Sequence, residues 1–232
     1  MSDSDLVSLT RDGGLWTAML NRPDKANALT EPMLAELADI AEAAQEARVF
    51  VLTGAGKVFS AGADLAAARA GLATSPEWER LSGAIAALPG LSIAALNGTV
   101  AGGAMGMVLA CDIRIAVEGA GAFYPVMKLG FLPQPSDPVR LAALIGPARA
   151  RMILLAGAKI KTDEALGWGL FDRVVTRDGL IGAVHELAED ALAASPDHAA
   201  AIKRLCLGAA LSADIPTAFD ARAGLWLSLI HI

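Results

Sequence analysis

The stretch from Leu91 to Asp112 constrains the fold of this chain more than any other. It reads LSIAALNGTVAGGAMGMVLACD and carries no charged residue before Asp112. The run Ser92–Leu96 has the length and apolar character of a buried strand, Asn97-Gly98 predicts a turn, and the pattern becomes helical from Gly102 onward. A glycine-rich turn that opens a buried helix presents backbone N–H groups without intrahelical acceptors. We therefore expect this turn to face an electron-rich group, which is a phosphate, a carboxylate or a developing oxyanion.

Composition favours one large domain with a substantial core. The chain has 232 residues, of which 54% are hydrophobic and 19% are charged. The only stretch long enough to cross a membrane is the one above, and its glycines, Asn97 and missing Lys/Arg flanks argue against a membrane span. Much of the apolar content is alanine, which is typical of tightly packed helices, and the low charge predicts a homo-oligomer.

The net charge and the N-terminal sequence limit which partners and which cellular compartment are expected. A net charge of −6 without a basic cluster argues against a nucleic-acid partner. The N-terminus, MSDSDLVSLT, has acids and no basic-then-apolar signal, so a cytoplasmic protein is expected. Cys111 and Cys206 lie far apart in apolar surroundings, which predicts reduced, buried thiols. The three histidines (His185, His198 and His231) form no cluster, so no metal site is predicted.

Strand and helix patterns alternate along the chain. Two β-prone runs, Leu6–Leu9 and Leu15–Leu20, predict an antiparallel hairpin. Further strands are predicted at Val49–Leu52, Ile113–Val117 and Asp172–Val175. Helices are predicted from Thr30 to near Arg48, from Pro76 to about Leu88, and at Val139–Ile145, Pro147–Ala156, Thr162–Gly169, Leu180–Ala194 and Asp197–Ala210. Residues 66–75 are expected to be mobile, and residues 123–138 are expected to be an irregular, proline-rich loop. This alternation predicts an α/β fold with a mostly parallel sheet.

Another glycine-rich turn lies earlier in the chain, in TGAGKVFSAGADL from Thr53 to Leu65, so it is the first of the two turns in chain order. It lacks the spacing of a phosphate-binding loop, and Phe59 stands where a dinucleotide fingerprint needs its third glycine. Small residues at Ser60–Leu65 would let the backbone approach a ligand closely. Cys111 has no evident base, and Ser60 lacks the G-x-S-x-G elbow. The sequence therefore favours backbone amides that stabilise negative charge on an oxygen.

Five blocks together resemble the crotonase (enoyl-CoA hydratase/isomerase) superfamily. They are NRPDKANALT, VLTGAGKVFSAGADL, NGTVAGGAMG, ACDIRIA and the P-x-x-K-L-G-x-x-P pattern at Pro125–Pro133. The resemblance implies a crotonase-like spiral of ββα units, an acyl-CoA thioester substrate without a further cofactor, and a homotrimer or hexamer. We expect a core domain at 1–195 and a helical oligomerisation segment at 196–232, whose ending in LWLSLIHI predicts a truncation.

The resemblance also assigns site residues. It maps the two oxyanion-binding amides to Ala63 and Gly103. The CoA-binding segment maps to Arg22, Lys25, Ala26, Ala61, Asp64 and Leu65. From the residues alone, the loop around Arg22 and Lys25 is either a solvated loop or an anion site, and Asp64 is equally suited to cap a helix. Asp112 is expected to be structural.

Two departures from the family pattern affect the predicted chemistry. Hydratases of the superfamily use two glutamates, and this chain has Gly106 and Val126 at those positions. Neither side chain can move a proton, which argues against ordinary two-glutamate hydration. The first candidate acid or base is Asp137, with Tyr124, Gln134 and Ser136 as weaker candidates. Two alternatives stay open, namely that Asp137 caps a helix and that the protein binds acyl-CoA without catalysis.

Overall fold

The structure is a computed structural model, and it describes residues 6–206. His231, the LWLSLIHI ending and the predicted last turn of the final helix lie outside the described residues.

A twisted six-stranded sheet forms one side of the core. Its strands run in the order β1-β2-β3-β4-β6-β9. Their bounds are Val7–Asp12 (β1), Leu15–Leu20 (β2), Val49–Gly54 (β3), Leu91–Leu96 (β4), Ile113–Val117 (β6) and Arg173–Val175 (β9). Strands β1 and β2 form the antiparallel hairpin, and every later neighbour pairs in parallel. All six residues of β3 are buried, which explains why its first four residues are an unbroken apolar run rather than an alternating pattern.

A second, smaller sheet has the order β5-β7-β8. Its strands are Val100–Ala101 (β5), Gly121–Phe123 (β7) and Ile160–Lys161 (β8). Because β5 follows β4 and directly precedes the helix of the glycine-rich turn, this sheet fixes that turn against Phe123, whose carbonyl accepts the Gly102 N–H at 3.0 Å.

Ten helices pack around the two sheets in the described part of the chain. Their bounds are Glu31–Ala43 (α1), Leu65–Arg69 (α2), Glu77–Ala86 (α3), Ala104–Ala110 (α4), Val126–Leu129 (α5), Asp137–Ile145 (α6), Pro147–Leu154 (α7), Thr162–Trp168 (α8), Leu180–Ala193 (α9) and Pro196–Cys206 (α10). Helix α4 is buried on every side, since all seven of its residues are buried and none is charged. Helix α3 packs against both α1 and α4. No helix in residues 6–206 is both long and apolar enough to cross a membrane.

The predicted hairpin, the parallel sheet and the strand-turn-helix around Gly102 are confirmed. Residues 66–75, for which no helix was predicted, contain most of α2 and a short 3-10 helix, and the Asp64 side chain accepts the first free amides of α2. Two expectations are wrong in detail. Helix α5 lies inside the stretch that was expected to be irregular. Cys206 is exposed rather than buried, whereas Cys111 is buried as predicted.

Asp112 holds the end of the glycine-rich stretch in place. Its carboxylate accepts hydrogen bonds from the backbone N–H and the hydroxyl of Ser92, at 2.8 and 2.9 Å. It also forms an ion pair with Lys203 of α10 at 2.7 Å. These contacts tie α10 to the start of β4, which agrees with the structural role expected for Asp112.

Candidate active site

The first glycine-rich turn leaves the backbone amide of Ala63 free. The Gly62 carbonyl accepts the Leu29 N–H, and the Leu29 carbonyl accepts the Asp64 N–H, both at 2.8 Å. These two bonds fix the backbone on both sides of Ala63 without using its own N–H. Gly62 has a φ of +89°, and a Cβ there would lie 2.7 Å from the Ala101 carbonyl, so only glycine fits. Within residues 6–206, no acceptor is hydrogen-bonded to the Ala63 amide.

The second turn leaves the amide of Gly103 free in the same way. Gly102 adopts a φ of +56°, and α4 begins directly after Gly103. A Cβ at Gly103 would lie 2.9 to 3.2 Å from the ring of Trp78, which is buried and donates its indole N–H to the Leu72 carbonyl at 2.7 Å. Across the described residues, nothing accepts a hydrogen bond from the Gly103 amide.

One cavity of about 150 Å³ has both turns in its wall. Its lining is Ala61, Ala63, Leu65, Ala68, Ala73, Trp78, Gly102, Gly103, Tyr124, Pro125, Val126, Leu129, Phe131, Leu132 and Gln134. No charged side chain is in that wall. The residues that carry the two free amides therefore line an apolar space, where a hydrogen bond to a developing negative charge is stronger than in water.

Asp137 and Tyr124 form a buried pair behind this cavity. Their exposed fractions are 1% and 4%, and the Tyr124 hydroxyl donates to Asp137 Oδ2 at 2.9 Å. Asp137 Oδ1 has no hydrogen-bond partner within the described residues. Tyr124 contributes to the cavity wall and Asp137 does not. The structure thus brings Tyr124 to the two free amides and places Asp137 one hydrogen bond further back.

The carboxylate of Asp137 occupies the space beside Gly106. A Cβ at Gly106 would lie 2.7 Å from Asp137 Oδ1 and 3.2 Å from Oδ2. The family pattern has an acid on α4 at the position of Gly106. In this chain the carboxylate beside that position belongs to Asp137 of α6. The alternative in which Asp137 caps its own helix is wrong, because Ser136 is the N-cap residue and Asp137 is the first residue of α6.

Burial shifts the proton affinities of both partners. It raises the pKa of Asp137 to about 6, with Glu79 adding to the increase and with the Tyr124 hydrogen bond and Arg140 opposing it. Burial, followed by the charge of Asp137, raises the pKa of Tyr124 well above its usual value. Above pH 6 the pair is a carboxylate and a neutral phenol. In that state Tyr124 can accept a proton from the cavity only by passing its own proton to Asp137.

Gln134 and Ser136 serve other contacts. Gln134 lies in the cavity wall and donates its Nε2–H to the Ala73 carbonyl at 3.0 Å. Ser136 gives its backbone N–H and its hydroxyl to Glu79 Oε1, at 3.1 and 3.0 Å. Both side chains connect α6 and the segment before it to the α2–α3 region.

Arg22 and Asp64 of the predicted CoA segment are engaged with each other. Their ion pair is 2.9 Å long, and Arg22 also donates to the Ala28 carbonyl. The Arg22 hydrogen bond holds the pKa of Asp64 below its usual value. Asp64 Oδ1 accepts the amides of Ala66 and Ala67, so the helix-capping interpretation is confirmed.

The remaining residues of the predicted CoA segment flank this ion pair. Lys25 is exposed, and Ala26 has a φ of +51° with its carbonyl accepting the Ala61 N–H at 2.9 Å. Ala61 and Leu65 lie in the cavity wall, and Leu65 is 62% exposed. The predicted segment therefore extends from the cavity to the surface around Lys25.

Sequence patterns missed two residues that shape the site. Buried Asn27 donates its side-chain amide to the carbonyls of Ala55 and Val58, at 2.9 and 2.8 Å, and so connects the Arg22 loop to the first glycine-rich turn. Trp78 closes the wall beside Gly103. An asparagine among alanines in NRPDKANALT and a lone tryptophan in a helix are weak signals on their own.

Neither the Cys111 thiol nor a metal site offers a second route to catalysis in the described residues. Burial raises the pKa of the Cys111 thiol to about 12, so it remains protonated at neutral pH. In the described part of the chain, no three His, Cys, Asp or Glu side chains are grouped so that they could hold a metal ion.

Gly106→Ala tests whether this glycine is needed to admit the Asp137 carboxylate. We expect it to lower the free energy of unfolding by about 1–3 kcal/mol, because the methyl group overpacks a filled space. Urea denaturation measures the loss. Gly83→Ala is the matched control, since it lies in α3 with no atom within 4 Å of its added Cβ. Equal stability of Gly106→Ala and the wild type would contradict the placement of Asp137.

Comparison with known proteins identifies the family and the fold. The family model described as Enoyl-CoA hydratase/isomerase matches residues 10–231. A carnitinyl-CoA dehydratase from Salmonella enteritidis is 35% identical over 212 residues, covering 87% of this chain and 80% of that protein. An enoyl-CoA hydratase structure from Mycobacterium avium subsp. paratuberculosis has a TM-score of 0.81 at 31% identity, with 91% of this chain and 88% of that chain covered.

A second solved structure has the same fold. The enoyl-CoA hydratase/isomerase from Pseudoalteromonas atlantica has a TM-score of 0.80 at 29% identity and covers 88% of this chain and 83% of its own. Sequence and fold therefore agree over most of the chain: the protein has the crotonase fold and belongs to the enoyl-CoA hydratase/isomerase family.

Proposed function

We propose that the protein removes a proton from the carbon next to the thioester of an acyl-CoA, while the amides of Ala63 and Gly103 hold the enolate oxygen. The observation that carries this proposal is the pair of unpartnered amides in the wall of one apolar cavity. The family to which the chain belongs supports an acyl-CoA substrate, and so does its similarity to a carnitinyl-CoA dehydratase. Both also support a hydratase or lyase type of reaction.

The two amides supply the electrostatic part of this chemistry. An enolate carries a full negative charge on the former thioester oxygen, whereas the ground-state carbonyl carries only a partial one. Fixed N–H donors therefore stabilise the enolate more than the substrate, and losing one such donor typically raises the barrier by about 2.7–4 kcal/mol. Gly103 precedes α4, so the positive end of that helix adds to the effect.

Tyr124 and Asp137 supply the proton-transfer part. The proton leaves the carbon for the Tyr124 oxygen, and the Tyr124 hydroxyl proton moves to Asp137 Oδ2. The C–H electron pair becomes the enolate, and the reverse shift returns the proton to the substrate or to a leaving hydroxyl. Gly106 and Val126 cannot take part, so one relay replaces the two glutamates of ordinary hydratases.

The CoA moiety would bind along the segment from Leu65 to Lys25. Exposed Lys25 is available for a phosphate of CoA, whereas Arg22 is already paired with Asp64. We assign Arg22 and Asp64 to shaping this segment and Lys25 to charge recognition, as a part of the same proposal.

Proton exchange in heavy water is the test. The protein is incubated in D₂O with saturated, enoyl and 3-hydroxyacyl CoA thioesters, and mass spectrometry follows deuterium uptake at the carbon next to the thioester. We expect uptake with at least one class, and a loss of roughly 100-fold or more in Gly62→Ala, whose Cβ would displace the Ala63 turn from Ala101.

Gly13→Ala is the control for that variant. Gly13 has a φ of +56° in the β1–β2 turn, so it carries the same backbone strain away from the cavity. The opposing hypothesis, a protein that binds acyl-CoA without catalysis, predicts binding by calorimetry with no uptake of deuterium by any thioester, and that result would overturn the proposal.

A further inference from the structure

Ser136, the residue directly before Asp137, is hydrogen-bonded to two charged residues, Glu79 and Arg140. The Ser136 hydroxyl donates to Glu79 Oε1 at 3.0 Å and accepts from Arg140 Nη1 at 2.8 Å. Glu79 belongs to α3, and Arg140 lies one helical turn beyond Ser136 in α6. The Ser136 hydroxyl thus lies between a carboxylate and a guanidinium. Ser136 directly precedes Asp137 in the chain.

The same two residues fix the start of α6. Glu79 Oε1 also accepts the Ser136 backbone N–H at 3.1 Å, and Arg140 Nη2 reaches the Ser82 carbonyl of α3 at 3.5 Å. Because Asp137 is the first residue of α6, these bonds determine where its carboxylate lies relative to Gly106. Neither Glu79 nor Arg140 lines the cavity, so neither touches a substrate bound there.

We propose that Glu79 and Arg140 are positioning residues that set the proton affinity of the Asp137–Tyr124 pair in opposite directions. The inference concerns the proton-transfer pair of the proposed function and rests on it. An acid close to Asp137 disfavours a second negative charge, and a guanidinium favours it. The groups that face Asp137 are Tyr124 from the segment before α5, Glu79 from α3 and Arg140 from α6, while α4 presents Gly106.

Glu79 and Arg140 both act on the Asp137 carboxyl, whose pKa burial already raises. Glu79 raises the pKa of Asp137, and Arg140 lowers it. Glu79 also contributes to the raised pKa of Tyr124. With both charges in place, the pair ionises near pH 6 instead of higher or lower, so it is poised to accept and return a proton close to neutral pH.

The test uses two variants that remove charge and keep hydrogen-bonding capacity. Glu79→Gln leaves an oxygen to accept from Ser136, and Arg140→Gln leaves an amide to donate to it. The titration of Asp137 is followed by its side-chain carboxyl ¹³C resonance, assigned by its absence in Asp137→Asn. We expect the midpoint to fall by roughly half a unit or more in Glu79→Gln and to rise by a similar amount in Arg140→Gln.

A kinetic readout separates this inference from the proposed function. The pH profile of kcat/KM for the reactive thioester has a midpoint on its acid side. In each variant this midpoint should shift in the same direction as the titration midpoint of the Asp137 carboxyl resonance. Midpoints that stay unchanged, or that move in one direction in both variants, would overturn the inference even if turnover is intact. If no thioester reacts, the proposed function fails, and the carboxyl titration still decides whether Glu79 and Arg140 set the proton affinity. Glu79→Ala, which also removes the acceptor, shows the added effect of displacing α6.

Discussion

Replacing Asp137 with asparagine is expected to lower kcat/KM by about 10²–10⁴-fold. The variant keeps an oxygen that accepts from Tyr124, so the ring stays in place, but it cannot take the proton that Tyr124 must release. Tyr124→Phe should cause a loss in the same range, because it removes the hydroxyl that passes its proton to Asp137 in the proposed relay. The measurement is steady-state turnover with the thioester that exchanges deuterium.

Two features distinguish this result from a general loss of structure. The wild-type rate should rise as the pH increases through about 6, where Asp137 ionises, and this limb should be absent in Asp137→Asn. The double variant should lose little more than either single variant, because both act on one relay. Asp163→Asn, which removes an exposed acid in α8, should retain full turnover. Normal turnover in both Asp137→Asn and Tyr124→Phe would refute the proton-transfer assignment.

Asp137→Asn should also abolish the pH dependence of stability that this carboxyl imposes on the wild type. The folded pKa is about 6 and the ordinary value is 3.8, so between those values the folded state holds a proton that the unfolded chain has lost. The contribution of Asp137 to stability is therefore fully present below pH 3.8 and is lost as the pH rises to about 6. The loss amounts to about 3 kcal/mol.

Urea denaturation at a series of pH values measures this effect. The free energy of unfolding of Asp137→Asn minus that of the wild type should increase by about 3 kcal/mol between pH 3.5 and pH 7. The asparagine amide adds an offset that does not depend on pH, so the change with pH is the diagnostic quantity. A difference that stays flat would mean that Asp137 is not desolvated in the native state. An increase would place a destabilising acid at the proposed site, which is typical of residues retained for function.

The two turns were predictable because their signals are local. Gly62 and Gly102 adopt positive φ values beside small residues, and the residue after each carries the free amide. The strand-turn-helix pattern around Gly103 needed only the end of an apolar run and the absence of an acceptor for the first helical amides. Residue patterns were therefore enough to predict the two glycine-rich turns, whereas the choice of Ala63 and Gly103 within them came from the resemblance to the family.

The Asp137–Gly106 contact was not predictable in the same way. It depends on how α6 lies across α4, and that placement arises from bonds between Ser136, Glu79 and Arg140. Helix-start chemistry in the sequence even favoured a capping role for Asp137, since Asp-Pro before an apolar run is a common N-terminus. The structure shifts the cap by one residue to Ser136, which leaves Asp137 free to point at α4.

The contact at Gly106 also restricts how this chain can change. A glutamate introduced at Gly106 would place its Cβ 2.7 Å from Asp137 Oδ1 and would add a second carboxylate to the same buried space. Regaining the usual acid on α4 would therefore require Asp137 to be lost in the same step or beforehand. The two positions of the acid therefore compete for one buried space, and a chain that holds an acid in one of them must give it up before or as it gains the other.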